Sequence, residues 1–597
     1  MRGSLLIAVA GLATLECVAA GSVVSLARDR VAAVGSGRLT FPADGIVVLS
    51  SRSAEYSSGL RLLPPPGKGV FDLSSGFALV ADLESLATDH QQRLCLQIRD
   101  ASSDTYVGCA LAPGEKTTIR LPLPHAHIYD FPEGGKGVRT LDTRNITNIS
   151  FCVVWPYEGQ FSGLLHCRIS NIRLAGEPDV ARHAPTTGFF PFVDRYGQYV
   201  HGNWMYKVTK DDDLRADLAT ERATLKSAPV CWDAYGGWAD GPQRTATGHF
   251  RTEKVDGKWW LVTPSGHLFY SLGINVVKLD SDAPNGFAHR DWYVSAPARS
   301  MSFPTWNLRK KFGREDMRDD YYDFVLARLD SWGVNTIGNW SDGELTRRGK
   351  KPYALVAVAR PKDVPYRADG FYDTTDATFA EKLKAAVAEA FDVANSPLAV
   401  AATDPMCLGF FIDNELSFPA DNAAYEPYFW ACKEALAAVA PGKLYLGCRF
   451  KGLRNAAALW QAAAKWCDVI SVNSYVNSVE AFGRGDYAAP ALDKPILHSE
   501  FHFGTRHRGM FSAGLCPVGD QCARARAYRR VVEGALRHPN FVGSHWFQYR
   551  DQPLVGRADG ENYQIGFVDV CDRPYALLAE AARTVSETMY NLRFSGK

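Results

Sequence analysis

The 597-residue chain carries almost no net charge, with 66 Lys and Arg against 65 Asp and Glu. That balance offers no global field to attract nucleic acid or an anionic membrane, and it suits a neutral or weakly charged partner. Common cofactor motifs are also missing. There is no CxxC pair and no HExxH sequence, which argues against a structural zinc or a zincin site. No GxGxxG or P-loop pattern opens a helix, so the usual cradles for dinucleotides and nucleotide triphosphates are lacking. Beyond the N-terminus no stretch of 18 uninterrupted apolar residues occurs, and the mature protein is expected to be soluble.

Cysteine is modest at 13 residues. Arg2, the apolar run Leu5 to Leu12 and the small residues Val18-Ala19-Ala20-Gly21 follow the order of a secretory signal peptide. Residues 1–20 are therefore expected to be a leader, and the protein secreted or periplasmic. A lipid anchor on Cys17 is the alternative, which Glu16 fits poorly. Removing Cys17 with the leader leaves twelve cysteines, and an even number outside the cytoplasm permits disulfides. Cys516 and Cys522, in a Gly/Pro loop, are the best candidate pair. Cys95 and Cys109 flank a turn at Ala101–Asp104 and are expected to face each other across a hairpin. Buried thiols account for most of the others.

What the chain does have is aromatics, 12% of residues with 14 Trp, and a two-part rhythm. Flat rings suit sugar faces, although core packing accounts for most of them. From 37 to 174, short runs such as Phe77–Asp82, Arg93–Ile98 and His166–Ser170 alternate with turn residues. This predicts a β-sandwich, read as a carbohydrate-binding module or as a structural brace. Residues 175–257 read as a linker region packed on the next domain, with a helical segment at Asp211–Leu225. From 258 to 597, apolar runs alternate with Ala-rich helical patterns. The runs begin at Gly266–Asn275 and include Cys407–Asp413, Leu444–Cys448, Asp468–Asn473, Pro495–Glu500 and Phe541–Gln548. Eight such βα units predict an α/β fold, a (β/α)8 TIM barrel. A doubly wound open sheet is the alternative.

Reacting groups of such a barrel sit at the C-terminal strand ends. Strand four ends in Asp413-Asn414-Glu415 and strand seven in Ser499-Glu500-Phe501-His502. Two carboxylates at one end of the sheet are what glycoside hydrolysis needs: one protonated to assist the leaving oxygen, one ionised to attack or to activate water. His498, Glu500 and His502 share one strand face, so a His/Glu/His metal site is conceivable, though no third-strand ligand supports it.

Four segments then carry a resemblance. They are Phe192–His201, Phe411–Leu416, Ser499–Gly504 with Arg508–Phe511, and His545–Tyr549 followed by Asp559–Phe567. Together they resemble the β-agarases of glycoside hydrolase family 50, within a clan of retaining barrel hydrolases. The resemblance implies that Glu415 is the general acid/base and Glu500 the nucleophile. It implies that Asn414 binds the hydroxyl beside the anomeric carbon, that Tyr475 orients the nucleophile, and that Trp546 is a sugar platform. His502, Asn339, Gln548 and Glu561 follow as polar contacts. The N-terminal β-sandwich belongs to the same picture. The substrate implied is a neutral galactan polysaccharide or oligosaccharide of the agarose type, with no cofactor, no metal, no nucleic acid and no membrane. A retaining mechanism requires the two carboxyl groups roughly 5–5.5 Å apart.

The chain departs from the family after His201, where Gly202-Asn-Trp-Met-Tyr-Lys207 stands, and before the nucleophile, where His498-Ser499 stands. Three other readings stay open. The first is a β-galactosidase or a hydrolase of a sulfated galactan, hinted at by Arg506, His507 and Arg508. The others are a non-catalytic carbohydrate-binding protein and a metal hydrolase on His498 and His502.

Overall fold

A computed structural model describes residues 24–595 apart from 53–57, 77, 90, 103, 124–125, 128–138, 153–163, 176–189, 281–289, 296, 298–300, 453–455, 480–481, 483–491 and 558. The leader expected at 1–20 lies outside the described residues. Two five-stranded antiparallel sheets form the N-terminal part. Their long strands, among them Ala78–Ser85, Gln92–Arg99 and Leu164–Ala175, match the runs read as strands. Side chains of both sheets, including Leu49, Leu83, Leu94 and Ile169, share one apolar core. Alternation along the strands explains this, since every second side chain points to the same face.

The C-terminal part is built on parallel strands. They are β1 (Ser271–Ile274), β2 (Thr336–Ile337), β3 (Tyr353–Val358), β4 (Cys407–Ile412), β5 (Leu444–Tyr445), β6 (Phe450–Lys451), β7 (Ile470–Asn473), β8 (Ile496–Phe501) and β9 (Phe541–Trp546). They form one curled nine-stranded sheet in the order β5-β4-β3-β2-β1-β9-β8-β7-β6. Of its two edges, β5 lies inside the run Leu444–Cys448 expected as the fifth strand, and β6 lies just past that run. The strand expected as the seventh is accordingly β8. The run Gly266–Asn275 divides as well: Leu268–Phe269 joins a separate three-stranded antiparallel sheet, and only Ser271–Ile274 enters the parallel one.

Helices pack on the outside of this sheet. Phe379–Asp392 buries Phe379, Leu383, Val387 and Phe391, at the four-residue spacing that lines one helical face. Gln521–Arg537 begins at Asp520, whose side chain accepts the Ala523 N–H and caps the free donors of the first turn. β4, β8 and β9 are buried at every position, as strands covered on both faces must be. Among the described residues no helix is long and apolar enough to cross a membrane.

The cysteine expectations need correction. Among the described residues no disulfide forms: Cys516 is buried, whereas Cys522 is exposed on the following helix. Cys95 does not face Cys109. The hairpin register pairs Cys95 with Gly108 and Leu94 with Cys109, and on its other side Cys95 lies opposite Cys152.

The segment 190–257 packs onto the C-terminal part. Phe192, Tyr199 and Trp204 share a cluster with Trp292, Phe511 and Leu554. The predicted helix appears at Asp211–Thr224. Its Glu221 pairs with Arg328, which also meets Asp572 through both carboxyl oxygens at 3.0 Å. Lys311 and Arg550 complete this charge cluster, with Lys311 Nζ 2.9 Å and Arg550 3.5 Å from Asp572. Although burial opposes ionisation, these three cations hold the Asp572 carboxyl well below the usual range.

Candidate active site

The site begins at the end of β4. Asp413 is fully buried and accepts the Tyr372 hydroxyl at 2.9 Å, the Tyr428 hydroxyl at 2.8 Å and the Arg360 N–H at 2.7 Å. Burial pushes its carboxyl above the ordinary range. Those bonds fix the strand end, so Asn414 and Glu415 leave it in one defined direction. Backbone conformation reinforces the point. Val276, Trp340, Arg360, Asp413, Glu415 and Arg449, all just past strand ends, have φ between +48° and +66°. The left-handed region is costly for non-glycine residues, most of all for a β-branched valine, and it persists only where the surroundings impose it.

Glu500, in β8, is buried with 5% exposure. Both of its oxygens accept strong donors. Arg449 Nη2 donates to Oε1, and the Tyr475 hydroxyl donates to Oε2 at 2.6 Å. A cation thus sits on one oxygen and a hydroxyl on the other. Arg449 also donates through Nε to Asn414 Oδ1 at 2.7 Å. Asn473, at the end of β7, places its Nδ2 3.2 Å from Asn414 Oδ1 and 3.0 Å from Glu415 Oε1. Asn414 thus has its carbonyl engaged, and its amide N–H groups are left for a ligand.

Glu415 is half-buried. Burial raises its carboxyl above the ordinary value, and the neighbouring Glu500 charge pushes it further the same way. One carboxyl is thus inclined to keep its proton, while its neighbour is held by two donors.

Both carboxyl groups open onto one cavity of about 420 Å³. Asn414, Tyr475, His502 and Glu561 also line it, together with Lys278, Trp340, Phe547 and Arg557. His502 packs its ring on Tyr475 at 4.6 Å, and its Nε2 accepts the Leu515 N–H at 3.0 Å. Burial, helped by Arg524, lowers it to about 3, so it stays neutral. Glu561 accepts the Gln552 amide at 2.7 Å and pairs with Arg557 at 3.3 Å.

Three expected contacts are not brought to this cavity. Trp546 is 0% exposed; its indole N–H donates to the Ile565 carbonyl at 2.7 Å, and its ring packs on Phe501 and Phe567. It packs in the core, and the next residue, Phe547, lines the cavity. Asn339 is buried, and its Oδ1 accepts the Val356 N–H at 3.0 Å, tying β3 to the chain after β2. Gln548 is buried with its amide on the Arg550 carbonyl at 2.7 Å.

The basic trio is spent elsewhere. Arg506 donates to Thr105 of the N-terminal sheets, Arg508 donates to Asp569 at 2.6 Å, and His507 is not a cavity residue. His498 is buried, with Nε2 on the Ser474 carbonyl at 2.7 Å. Among the described residues no group of three or more His, Cys, Asp or Glu is placed to hold a metal ion.

Sequence reasoning missed Arg449, Asn473, Lys278 and Trp340. The available signal for Arg449 was a charged residue immediately after the apolar run Leu444–Cys448.

No family model matches the chain. In sequence, it is 28% identical over 680 residues to β-agarase B of Vibrio sp. (strain JT0107), covering 87% of this chain and 69% of that protein. To β-agarase A of the same organism it is 29% identical over 528 residues, covering 68% of this chain and about half, 52%, of that protein. In structure, it matches the agarase AgWH50C with a TM-score of 0.71 at 24% identity, over 95% of this chain and 98% of that one. An exo-β-agarase matches with a TM-score of 0.71 at 22% identity, over 96% and 100% of the two chains. PfGH50B matches with a TM-score of 0.72 at 24% identity, over 96% and 99%. The chain is thus similar in sequence to these two β-agarases and similar in fold to these agarase structures.

Proposed function

We propose that the chain is a retaining glycoside hydrolase that cleaves β-1,4-galactosidic bonds of agarose or its oligosaccharides. The observation that carries this reading is the pair Glu415 and Glu500 on one cavity, the first pushed toward its protonated form and the second accepting Arg449 and Tyr475. The relatives named as β-agarases support the polymer.

In the first step an oxygen of Glu500 bonds to the anomeric carbon while the glycosidic C–O bond breaks. The Glu415 proton passes to the departing oxygen. In the second step Glu415 takes a proton from water, the water oxygen bonds to the anomeric carbon, and the ester to Glu500 breaks. Asn414 presents its amide to the hydroxyl beside that carbon. Tyr475 keeps the nucleophile oriented, and Phe547 and Trp340 offer apolar ring surface to the sugar.

The same reading takes the curled sheet as a (β/α)8 barrel, with β5 and β6 as halves of one strand, over 258–597. It takes the two antiparallel sheets as a β-sandwich over 37–174 and the whole as a secreted or periplasmic enzyme. The test is incubation with agarose. Release of reducing ends, with a covalent adduct on Glu500 when a slow fluorinated substrate is used, supports it; no release from any galactan sinks it.

A sulfated galactan is the second reading, favoured by Lys278 on the cavity wall. Activity greater on the sulfated polymer than on agarose would establish it.

A further inference from the structure

The seam between the N-terminal sheets and the C-terminal part holds a buried cation to which no counter-charge is matched among the described residues. Arg93 belongs to the strand Gln92–Arg99, whose Leu94, Leu96 and Ile98 point into the core of the N-terminal sheets. By alternation Arg93 points to the opposite, outer face, yet it is only 7% exposed. The neighbouring strand Asp104–Leu111 is the edge of its sheet. There Gly108 leaves room that a side chain would fill. A Cβ at Gly108 would stand 3.4 Å from Arg93 Nη2 and 3.6 Å from the Pro517 carbonyl oxygen. The guanidinium therefore lies over Gly108, between the sheet and the loop 504–519.

Direct bonds close the seam around it. The Gly108 N–H donates to the Pro517 carbonyl at 3.1 Å. Arg506 donates to the Thr105 hydroxyl. Arg530 donates to the Ala110 carbonyl at 2.7 Å and to the two Glu115 oxygens at 3.0 and 2.7 Å. Ala110 is the register partner of Arg93, so the Arg530 contact adjoins it. Guanidinium groups thus meet the edge strand at Ala110, Gly108 and Thr105. Glu115 is committed to Arg530. Arg93 Nε is buried without an acceptor, and among the described residues no carboxylate pairs with its guanidinium.

An arginine does not escape this position by losing its proton. A charge withdrawn from water is costly until one of opposite sign meets it. The planar fork of a guanidinium matches an oxyanion, which it binds through two parallel hydrogen bonds. We infer that this notch is an oxyanion site, and that its ligand is a sulfate group, either free or carried as a half-ester on a galactan chain. The choice of sulfate among oxyanions rests on the galactan reading above. Arg93, Arg506 and Arg530 are not among the residues lining the catalytic cavity, so the notch is a separate site. One loop serves both: it meets the N-terminal sheets at Pro517 and lines the cavity at Leu515.

The experiment is calorimetric titration of the full chain with sodium sulfate, at an ionic strength held constant with sodium chloride, for wild type, Arg93→Met and Arg93→Lys. Wild type binds saturably, and Arg93→Met loses that binding. Arg93→Lys keeps the charge but not the fork, and its affinity falls about tenfold. Thermal melts add a readout that a purely structural cation would not give. Without sulfate, Arg93→Met melts at or above wild type, because it removes an uncompensated buried charge. With sulfate, the wild-type midpoint rises further than that of the variant; the general stabilising effect of the salt is common to both.

Sulfated and desulfated forms of one galactan oligosaccharide separate the two sources. A sulfated chain that binds at least tenfold more tightly than inorganic sulfate assigns the ester, and a smaller gain assigns the free ion. Equal binding of the two chains, both dependent on Arg93, overturns the charge recognition. The site is overturned by a wild-type titration without saturable heat, or by an affinity unchanged in either variant. It is overturned equally by an Arg93→Met chain that melts well below wild type or does not fold, since the fold would then depend on the cation itself. Binding is read without turnover, so failure of the hydrolase reading is a separate result, seen as no release of reducing ends.

Discussion

Replacing Glu415 by Gln removes one proton and leaves the shape of the cavity intact. General acid assistance contributes roughly 10²–10⁴ in rate, which is about 2.7–5.5 kcal/mol of barrier at 1.36 kcal/mol per tenfold. The full loss is expected only where the leaving oxygen is a poor leaving group, as in the natural polysaccharide. An activated aryl glycoside departs without a proton, so its first step is nearly unaffected and kcat/KM stays within a few-fold of wild type. Its second step still lacks the base that water needs. The ester on Glu500 accumulates, kcat and KM fall together, and a burst of phenolate precedes slow turnover. Azide, which needs no base, restores kcat. The pH profile gives an independent check. Burial and the Glu500 charge raise the Glu415 pKa, so the acid is intact below that value and lost as pH rises through it. The alkaline limb of kcat/KM on polysaccharide should therefore lie above the ordinary carboxylate range in wild type and vanish in Glu415→Gln. An equal loss of kcat/KM on polysaccharide and aryl substrates, with no azide rescue, would refute the assignment.

Three more outcomes follow from the same geometry. Glu500→Gln should abolish turnover, and it should also cost stability, on the order of 3 kcal/mol, because it leaves the buried Arg449 without its counter-ion; thermal melts read the difference. Asp572→Asn should cost about 3–5 kcal/mol by taking the carboxylate from Lys311 and Arg550 and leaving Arg328 with Glu221 alone. Because the Asp572 pKa is lowered on folding, its stabilisation is present at neutral pH and lost as pH falls through the folded value, so wild type and variant should converge in acid. Trp546→Ala should cost about 3–5 kcal/mol of stability, whereas Phe547→Ala should remove ~1.5 kcal/mol of apolar cover and raise KM about tenfold; the reverse pattern in melts and kinetics would move the platform back to Trp546.

Much of the molecule was legible where a pattern is long or repeated. The helix Asp211–Thr224 and the strand Cys407–Ile412 each end within one residue of their predicted spans, because a helical pattern and a short buried run are strong signals. The glutamates were found because they follow such runs directly. Other features depend on contacts that no local pattern encodes. The division of Leu444–Lys451 into β5 and β6 comes from pairing with two different neighbours, β4 on one side and β7 on the other. Arg449 sits in that gap, so its role emerged only with the pairing. Every side chain of β9 is buried and so is Phe547 just past it, so alternation could not tell the core-facing Trp546 from the cavity-lining Phe547. The hairpin at Cys95 shows the same limit: a one-residue difference in register exchanges Cys109 for Gly108 as its partner.

The left-handed residues at the strand ends have a consequence for how such an enzyme can change. Val276, Trp340 and Glu415 each keep a side chain on the cavity wall at a backbone angle that glycine would adopt at less cost. Glycine at 276 or 340 would relax the backbone there while taking away a piece of the wall. A search for hardier variants, scored by survival on heating alone, would meet these positions as easy gains and dull the enzyme. Selection for heat tolerance and selection for turnover therefore pull in opposite directions at the same few residues, and a thermostable descendant should draw its improvements from the outer helices.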